Sequence, residues 1–523
     1  MLQAVSPLAE EALQQLIDAE LIYRRGLQSQ ASYLFKHALV QDTAFQSMLK
    51  SRRQALHHQV AQVLEQESGE TVEAQPELVA HHYTEAGRIA QAIPYWQQAG
   101  QRANRRAANV EAITYLTKGI ELLQTLPDTP ERAQQELPFQ TALGGPLIAL
   151  KGFASPDVGA VYPGAWELCR HIGETPQICP VLWGLVAFYS VRAEWKTARE
   201  LAGQLLSIAQ SAQDTALLIE AHYAVGQAQS ITGEFAAGRA HYEQRLTLYD
   251  PEQYHALAFV YGLDPGVMAG AMLASTLLSL GYHDQARKMS ADTLALADEL
   301  SHPNSLAFAL NCAAWLCLRC RDEQSAHEQA EALITLSTEQ GYATYLTMGT
   351  LQRGHALVAQ GYRAEGIALM LPALNAYQAT GSEVGRPRFL TLLAQAYGQE
   401  GQLEKGMTLL AEAHALIERT GERDFAAEFY RIKGELLLQP HSSRVQSEAQ
   451  HEAETYFQRA LAVAQQHAKL WELRAATSLA RLWQQQDKTQ EARDLLAPVY
   501  NWFTEGFDTQ DLKDAKSLLE DLS

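Results

Sequence analysis

The sequence predicts an all-α fold, a right-handed α-α superhelix of stacked helical hairpins of about 40 residues each. Three observations carry this. First, a turn residue followed five positions later by a small one recurs between residues 193 and 421: Ala193/Ala198, Gly233/Gly238, Gly281/Ala286, Arg321/Ala326, Gly361/Gly366 and Gly401/Gly406. The second members follow one another at 40, 48, 40, 40 and 40 residues, and a fixed period in this range marks a helical repeat array. Second, twelve positions before each anchor stand Val186, Gly226, Ala274, Ala314, Gly354 and Ala394, mostly small, and nine before stand Tyr189, Gln229, Leu277, Cys317, Leu357 and Tyr397, mostly large. Helices packed at about 8 to 10 Å leave room only for a hydrogen or a methyl where they cross, with large neighbours filling the space beside the crossing. Third, 523 residues exceed one compact core, whereas an array grows by addition.

Composition narrows the function classes. Lysine and arginine total 41 against 60 acidic residues, a net charge of −19, so the field of the whole chain repels phosphate backbones and acidic membranes. The cysteines (Cys169, Cys179, Cys312, Cys317, Cys320) are an odd number with no disulfide-framework spacing, and no secretory leader is evident; a cytoplasmic location is expected. Pro265 to His283 carries no formally charged residue, but its Ala274 and Leu277 fall on the repeat grid. A helix buried on several sides of a solenoid explains that stretch better than a membrane span.

Taken in order, residues 1–66 stand off the grid as a separate module. Ser6 can cap a helix with Pro7 at its first position, followed by Leu8, Leu13, Leu16 and Ile17 at helical spacing. Leu21–Arg25 and Ser32–Lys36 read as short strands around a Gly26–Ala31 turn, with helices over Ala38–Leu49 and Arg52–Glu65. This order is that of the end of a winged helix. Residues 67–77 read as a linker, and the repeat solenoid occupies 78–523. Its first hairpin carries Ala80, Tyr83, Gly87, Ala92, Trp96 and Ala99. A helix is expected over Asn109–Leu126, a kink at Gly144-Gly145-Pro146, a new helix after Ser155-Pro156, and a polar, mobile loop at Gln439–Ser447 containing Pro440. A last pair centres on Ala480, Trp483 and Ala492, capped by an acidic helix over Thr509–Leu522.

The small-large spacing resembles the tetratricopeptide repeat, stretched by longer helices. A more specific resemblance is carried by Tyr33-Leu34-Phe35-Lys36-His37-Ala38-Leu39-Val40-Gln41-Asp42, by Arg53, Leu56 and His57, and downstream by Pro76–Gly100, Leu126–Arg132, Tyr261–Val267 and Lys433–Leu437. It covers essentially the whole chain. These stretches look like the junction in bacterial multidomain signalling proteins where a STAND-like ATPase module ends and tetratricopeptide repeats begin, many with a class III adenylate or guanylate cyclase domain further upstream. The resemblance implies a regulatory tail, with those catalytic modules before Met1. In that family the winged-helix segment is a spacer between ATPase and repeats.

The chemistry-bearing motifs argue against catalysis, and no cofactor or metal is expected. Gly401-x-x-x-x-Gly406-Met407-Thr408 imitates a phosphate-binding loop but has methionine where lysine is required, and both glycines are grid positions. Cys317-Leu-Arg-Cys320 lacks the further ligands zinc needs, and Cys317 sits at a core position. In His57-His58 and His81-His82 neighbours diverge by about 100°, so one of each pair is expected to pack and one to be exposed. His327-Glu328 and His451-Glu452 lack the second histidine of a zinc protease. No Gly-x-Ser-x-Gly elbow occurs. Arg24, Arg25, Lys50, Arg52 and Arg53 could touch DNA, against an acidic remainder.

In tetratricopeptide hairpins the first helix lines the concave face, and the residues fifteen and eleven before the anchor point into it. Here these include Trp183, Tyr223, Gln227, Asn311, Trp315, His355, Thr391 and Gln395. Aromatics and amides aimed into one groove suit a peptide, a protein segment or a sugar-like effector; the same residues could instead pack between repeats. A second candidate is the insertion behind the 48-residue spacing, expected on a loop and containing Tyr254, His255, Tyr261 and Asp264. The alternative is that Asp264 caps a helix beginning at Pro265. The expected function is a non-catalytic interaction or effector-sensing module, the alternatives being an assembly scaffold without effector or a winged-helix transcriptional regulator.

Overall fold

The computed structural model describes residues 9–25, 32–67, 74–172, 178–439, 446–465 and 468–523. Ser6 and Pro7, the Gly26–Ala31 turn, residues 68–73 of the expected linker and 440–445 of the expected mobile loop lie outside the described residues. The chain divides into two compact units, Met1–Leu143 and Gly144–Ser523.

The first unit opens with the helix Ala9–Asp18, an antiparallel hairpin pairing Ile22–Arg25 with Ser32–Phe35, and the helices Ala38–Ser47 and Lys50–Glu67. Pairing Ile22 with Phe35 and Tyr23 with Leu34 leaves Tyr23 and Leu34 exposed on one face, while Ile22 is buried on the other. Both His57 and His58 are half-buried, against the expected split, because His57 Nδ1 meets His82 Nδ1 of the next hairpin at 2.8 Å. The first repeat hairpin is Pro76–Glu85 and Ile89–Arg105, with Ala80, Tyr83, Ala92, Trp96 and Ala99 buried between its helices.

In the second unit the paired helices are Ile178–Val191 with Trp195–Ala212, Thr215–Ile231 with Phe235–Leu248, Pro265–Leu280 with His283–Glu299, and Pro303–Arg319 with Glu323–Gln340. Ala343–Ala359 with Arg363–Ala379, Arg386–Gln399 with Leu403–Thr420, Ala426–Leu437 with Gln446–Ala464, and Lys469–Gln485 with Thr489–Asn501 follow, and Gln510–Asp521 closes the array. The turn residue of every pair singled out by the repeat has positive φ: Ala193 57°, Gly233 92°, Gly281 95°, Arg321 57°, Gly361 98° and Gly401 74°. Each is the left-handed residue that ends the first helix of its hairpin and lets the chain reverse.

The anchors lie where the paired helices cross. Ala198, Ala286 and Ala326 are fully buried. At Gly366 even a methyl is excluded, since a Cβ there would stand 2.4 Å from the carbonyl oxygen of Gly354, its partner across the crossing. Gly366→Ala is therefore expected to destabilise the chain by about 1–3 kcal/mol through overpacking, read as a lower urea midpoint; an unchanged midpoint would show that the crossing has slack.

The helix Pro130–Lys151 runs through Gly144, Gly145 and Pro146. One expectation needs correction. The insertion does not emerge as a loop but folds into two short helices, Pro251–Tyr254 and Ala258–Tyr261, joined by a 3₁₀ turn over His255–Leu257. No single helix among the described residues is long and apolar enough to cross a membrane. The insertion and Pro265–Leu280 pass that test only as a pair bent by 88°, and nearly every residue of Pro265–Leu280 is buried in the protein.

What the sequence pattern does not announce is how the array coils. The carbonyl of Val191, closing the first helix of the first hairpin of the second unit, accepts the backbone N–H groups of Glu383 (2.8 Å) and Val384 (3.0 Å), which precede the sixth hairpin. One repeat later the carbonyl of Ile231 accepts those of Arg423 (2.8 Å) and Asp424 (3.2 Å), before the seventh. The third hairpin bonds to the segment that follows the eighth: Glu505 accepts the backbone N–H of Asp284 (3.0 Å) and Arg287 pairs with Asp508 (2.8 Å). One superhelical turn thus takes five hairpins, and successive turns are hydrogen-bonded to each other.

Candidate functional site

Tight coiling turns the concave face into a narrow inner channel walled by the first helix of each hairpin. Much of it is filled with aromatic rings. Trp315 lies 6.2 Å from Phe389 and 6.2 Å from Phe425, and Phe425 lies 5.2 Å from Trp471, centroid to centroid. Two sizeable cavities lie among the described residues.

The first, of about 160 Å³, is mainly apolar, with Phe153, Trp183, Tyr223, Phe308, Tyr345 and Met348 among its walls. Its polar groups are few. Gln227 Nε2 donates to Tyr223 Oη (3.2 Å), Asn311 Oδ1 accepts from Gln352 Nε2 (2.9 Å), and the buried Thr344 hydroxyl has no partner. Aromatic walls with isolated amides suit an apolar side chain that brings a hydrogen-bonding backbone with it.

The second cavity, of about 330 Å³, is charged. Arg431 Nε meets Glu428 at 2.6 Å, Arg474 meets Glu428 at 3.2 Å and Asp511 at 2.8 Å, and Arg321 meets Asp514 at 2.8 Å. Arg474 Nη2 also donates to the carbonyl of Arg319 (2.5 Å), so this network joins the fourth hairpin to the eighth. Burial alone would raise the Glu428 pKa; Arg431 and then Arg474 outweigh it and hold the carboxyl down at about 2. Burial, aided by Arg474, pushes His355 down to about 4, leaving a neutral imidazole near neutral pH.

The groove candidates divide between these cavities. Trp183, Tyr223, Gln227 and Asn311 line the apolar one, and Trp315, His355 and Gln395 the charged one. Asn311 and Trp315 are one turn apart on the same helix, a rise of about 6 Å, so the helix Pro303–Arg319 lines both cavities. Thr391 is in neither: fully buried, it donates its hydroxyl to the carbonyl of Pro387 (2.7 Å) and is unavailable to a ligand.

The insertion candidates are mostly structural. Asp264 is fully buried, accepts the backbone N–H of Val267 (3.0 Å) as the cap of Pro265–Leu280, and accepts Tyr249 Oη (2.8 Å), with His255 Nδ1 at 3.1 Å. Tyr261 is buried with its ring 5.1 Å from Trp183. Tyr254 and His255 are half-buried. The insertion therefore turns inward and supports the apolar chamber from behind.

Sequence reasoning missed Arg319, Glu428, Arg431, Glu435, Arg474 and Arg481, all on the charged chamber. A signal existed. Counting fifteen and eleven back from the anchor implied by Gly434 gives Arg431 and Glu435, and from Ala492 gives Thr477 and Arg481, all lining residues. Among the described residues no cluster of three or more histidine, cysteine, aspartate or glutamate side chains could hold a metal ion. The cysteine pair is buried or half-buried, and burial raises the thiols, Cys317 to about 12 and Cys320 to about 11.

The fold and its channel define a class: an all-α solenoid of tetratricopeptide-like repeats. The chain is similar to a Rap protein solved in complex with Competence and Sporulation Factor, at TM-score 0.51 and 12% identity, covering 72% of this chain and 99% of that one. It also resembles the Cut9-Hcn1 assembly of the APC/C, at TM-score 0.49 and 13% identity, over 93% of this chain and 94% of that one. An uncharacterized protein of Rhizobium meliloti (strain 1021) is 22% identical over 421 residues, 80% of this chain but 41% of the relative, so the match spans less than half of that longer protein. No family model matches the chain.

Proposed function

We propose that the chain is a non-catalytic binding module whose inner channel takes a short peptide or protein segment as effector. The observation that carries this is the two chambers, one aromatic with isolated amides and one charged, both lined by the helix Pro303–Arg319 and both containing inward positions of successive hairpins. The Rap protein of similar fold was solved with Competence and Sporulation Factor, which supports a ligand-binding reading without deciding the ligand. In the bacterial signalling architecture that the sequence resembles, residues 1–66 form the winged-helix end of an ATPase module in the cytoplasm, and filling the channel shifts the coiling of the repeats and so the state of an upstream ATPase or cyclase.

The test is calorimetric titration of the full chain with a pooled peptide library, followed by variants. Trp315→Ala and Gln227→Ala, both half-buried on the channel, are expected to weaken a hit at least tenfold, while Leu371→Gln on the exposed outer surface leaves it unchanged. Undiminished binding by both channel variants would remove the proposal, and cyclic nucleotide production by this polypeptide alone would overturn the non-catalytic reading.

A further inference from the structure

The lining of the charged chamber carries five guanidinium groups, Arg319, Arg321, Arg431, Arg474 and Arg481. Four have a carboxylate within 4.0 Å: Asp511 and Asp514 for Arg321, Glu428 and Glu435 for Arg431, Glu428 and Asp511 for Arg474, and Asp514 for Arg481. Arg319 has none among the described residues. Its Nη1 donates to the carbonyl (3.2 Å) and hydroxyl (2.9 Å) of Ser275 and its Nη2 to the hydroxyl of Ser279 (2.6 Å), all neutral acceptors. Its buried Nε–H has no acceptor.

The residue is only 6% exposed, so it has given up its water with no carboxylate in contact, Asp424 acting on it only from a distance, an arrangement that costs free energy until an anion completes it. Burial, with Arg388 nearby, accordingly pushes its pKa down to about 9. Trp471 holds the guanidinium from its face, 5.1 Å from the ring centroid. The edge that remains, Nε–H with the second Nη2–H, is the pair of parallel donors a carboxylate accepts side by side. His355, also on the chamber wall, has a buried Nδ1 with no partner, a second polar atom of this chamber left unsatisfied.

We propose that the charged chamber is a carboxylate-binding subsite centred on Arg319, which selects an effector carrying a carboxylate beside an apolar group. The carboxylate completes the charge balance at Arg319 and the apolar group packs on the aromatic wall that Trp315, Phe425 and Trp471 give the same chamber. This rests on the channel being the binding site, and it narrows the ligand from any peptide to one with a C-terminal or acidic side-chain carboxylate.

The probes are N-acetyl-L-leucine, its uncharged analogue N-acetyl-L-leucinamide and inorganic phosphate, titrated against the full chain at fixed ionic strength with thermal unfolding as the readout. The acid is expected to raise Tm saturably, the amide to be at least tenfold weaker, and Arg319→Gln to abolish the difference. Ser279→Ala, which loosens the arginine's anchorage but leaves the charge, is expected to retain a preference for the acid. Should Arg319→Gln not fold, Arg319→Lys, which keeps a charge without the planar edge, is expected to lose at least tenfold for the acid. Equal response to acid and amide, or a preference for the acid that survives both arginine variants, would overturn the proposal; so would saturation by phosphate alone. A preference for the acid lost in Arg319→Gln, with no peptide of the library binding, leaves the subsite standing and removes the peptide-effector reading. Peptide binding indifferent to Arg319→Gln does the reverse.

Discussion

Arg474→Ala is expected to destabilise the chain by about 3–5 kcal/mol, the range found when one partner of a buried ion pair is removed and the other charges stay behind. Arg474 is 13% exposed on its side chain, Glu428 5% and Asp511 6%, so neither carboxylate recovers water when the guanidinium goes. The carbonyl of Arg319 loses a donor at the same time. Because these contacts tie the fourth hairpin to the eighth hairpin and the terminal helix, the loss should be cooperative: hydrogen exchange is expected to speed up across Gln510–Asp521 as well as beside position 474. A drop below about 1 kcal/mol would place the network in the range of surface pairs and deny it a role in closing the superhelix.

The same network sets an acid limit. The folded-state pKa of Glu428 is depressed from 4.5 to about 2, so its contribution is present above the unfolded value and is lost as pH falls from there through the folded value. That contribution amounts to about 3 kcal/mol. Urea midpoints measured from pH 5 down to pH 2 should fall more steeply in the wild type than in Glu428→Gln. Parallel curves would mean that Glu428 is not held ionised by Arg431 and Arg474.

Trp183→Ala should be the second severe change. The ring is 2% exposed, packed 5.1 Å from Tyr261 and 6.3 Å from Phe153, and truncating a buried tryptophan costs about 3–5 kcal/mol. This substitution is therefore a stability probe and a poor test of binding, whereas half-buried Trp315 suits that purpose. The void left beside the 160 Å³ chamber is apolar and should take up a flat aromatic guest, so millimolar indole is expected to restore part of the lost Tm in Trp183→Ala and to do little to the wild type. No rescue would show that the walls had collapsed into the space.

Much of this was legible before any coordinates. The grid of Gly233, Gly281, Gly361 and Gly401 with Ala193 and Arg321 marks six left-handed helix ends, and the small anchors five residues on mark the crossings. The same register brought Trp183, Tyr223, Gln227 and Asn311 to one chamber and Trp315, His355 and Gln395 to the other. Thr391 obeys the register but points into packing, because the coil is tight enough to bury some inner positions against the next helix. Arg431 and Glu435 also obey it, yet the insertion after the seventh hairpin's first helix hid the anchor from which to count, while Arg481 follows from Ala492, an anchor already in view. Tyr261 shows the opposite failure: an insertion between repeats was expected at the surface, but its ring had an interior partner in Trp183, whereas Asp264 caps the helix that begins at Pro265, the alternative its position also allowed.

Sequence by itself determined the hairpin, its length and the face each first helix turns inward, because these depend on contacts between residues about one helix apart and so leave a fixed period in the chain. Only the tertiary structure decided that five hairpins complete a turn, that Val191 meets Glu383 and Ile231 meets Arg423, and that Arg319 is left without a carboxylate. Those outcomes arise from small rotations summed over successive repeats, and a sum of that kind has no local signature for a reader of the sequence to find.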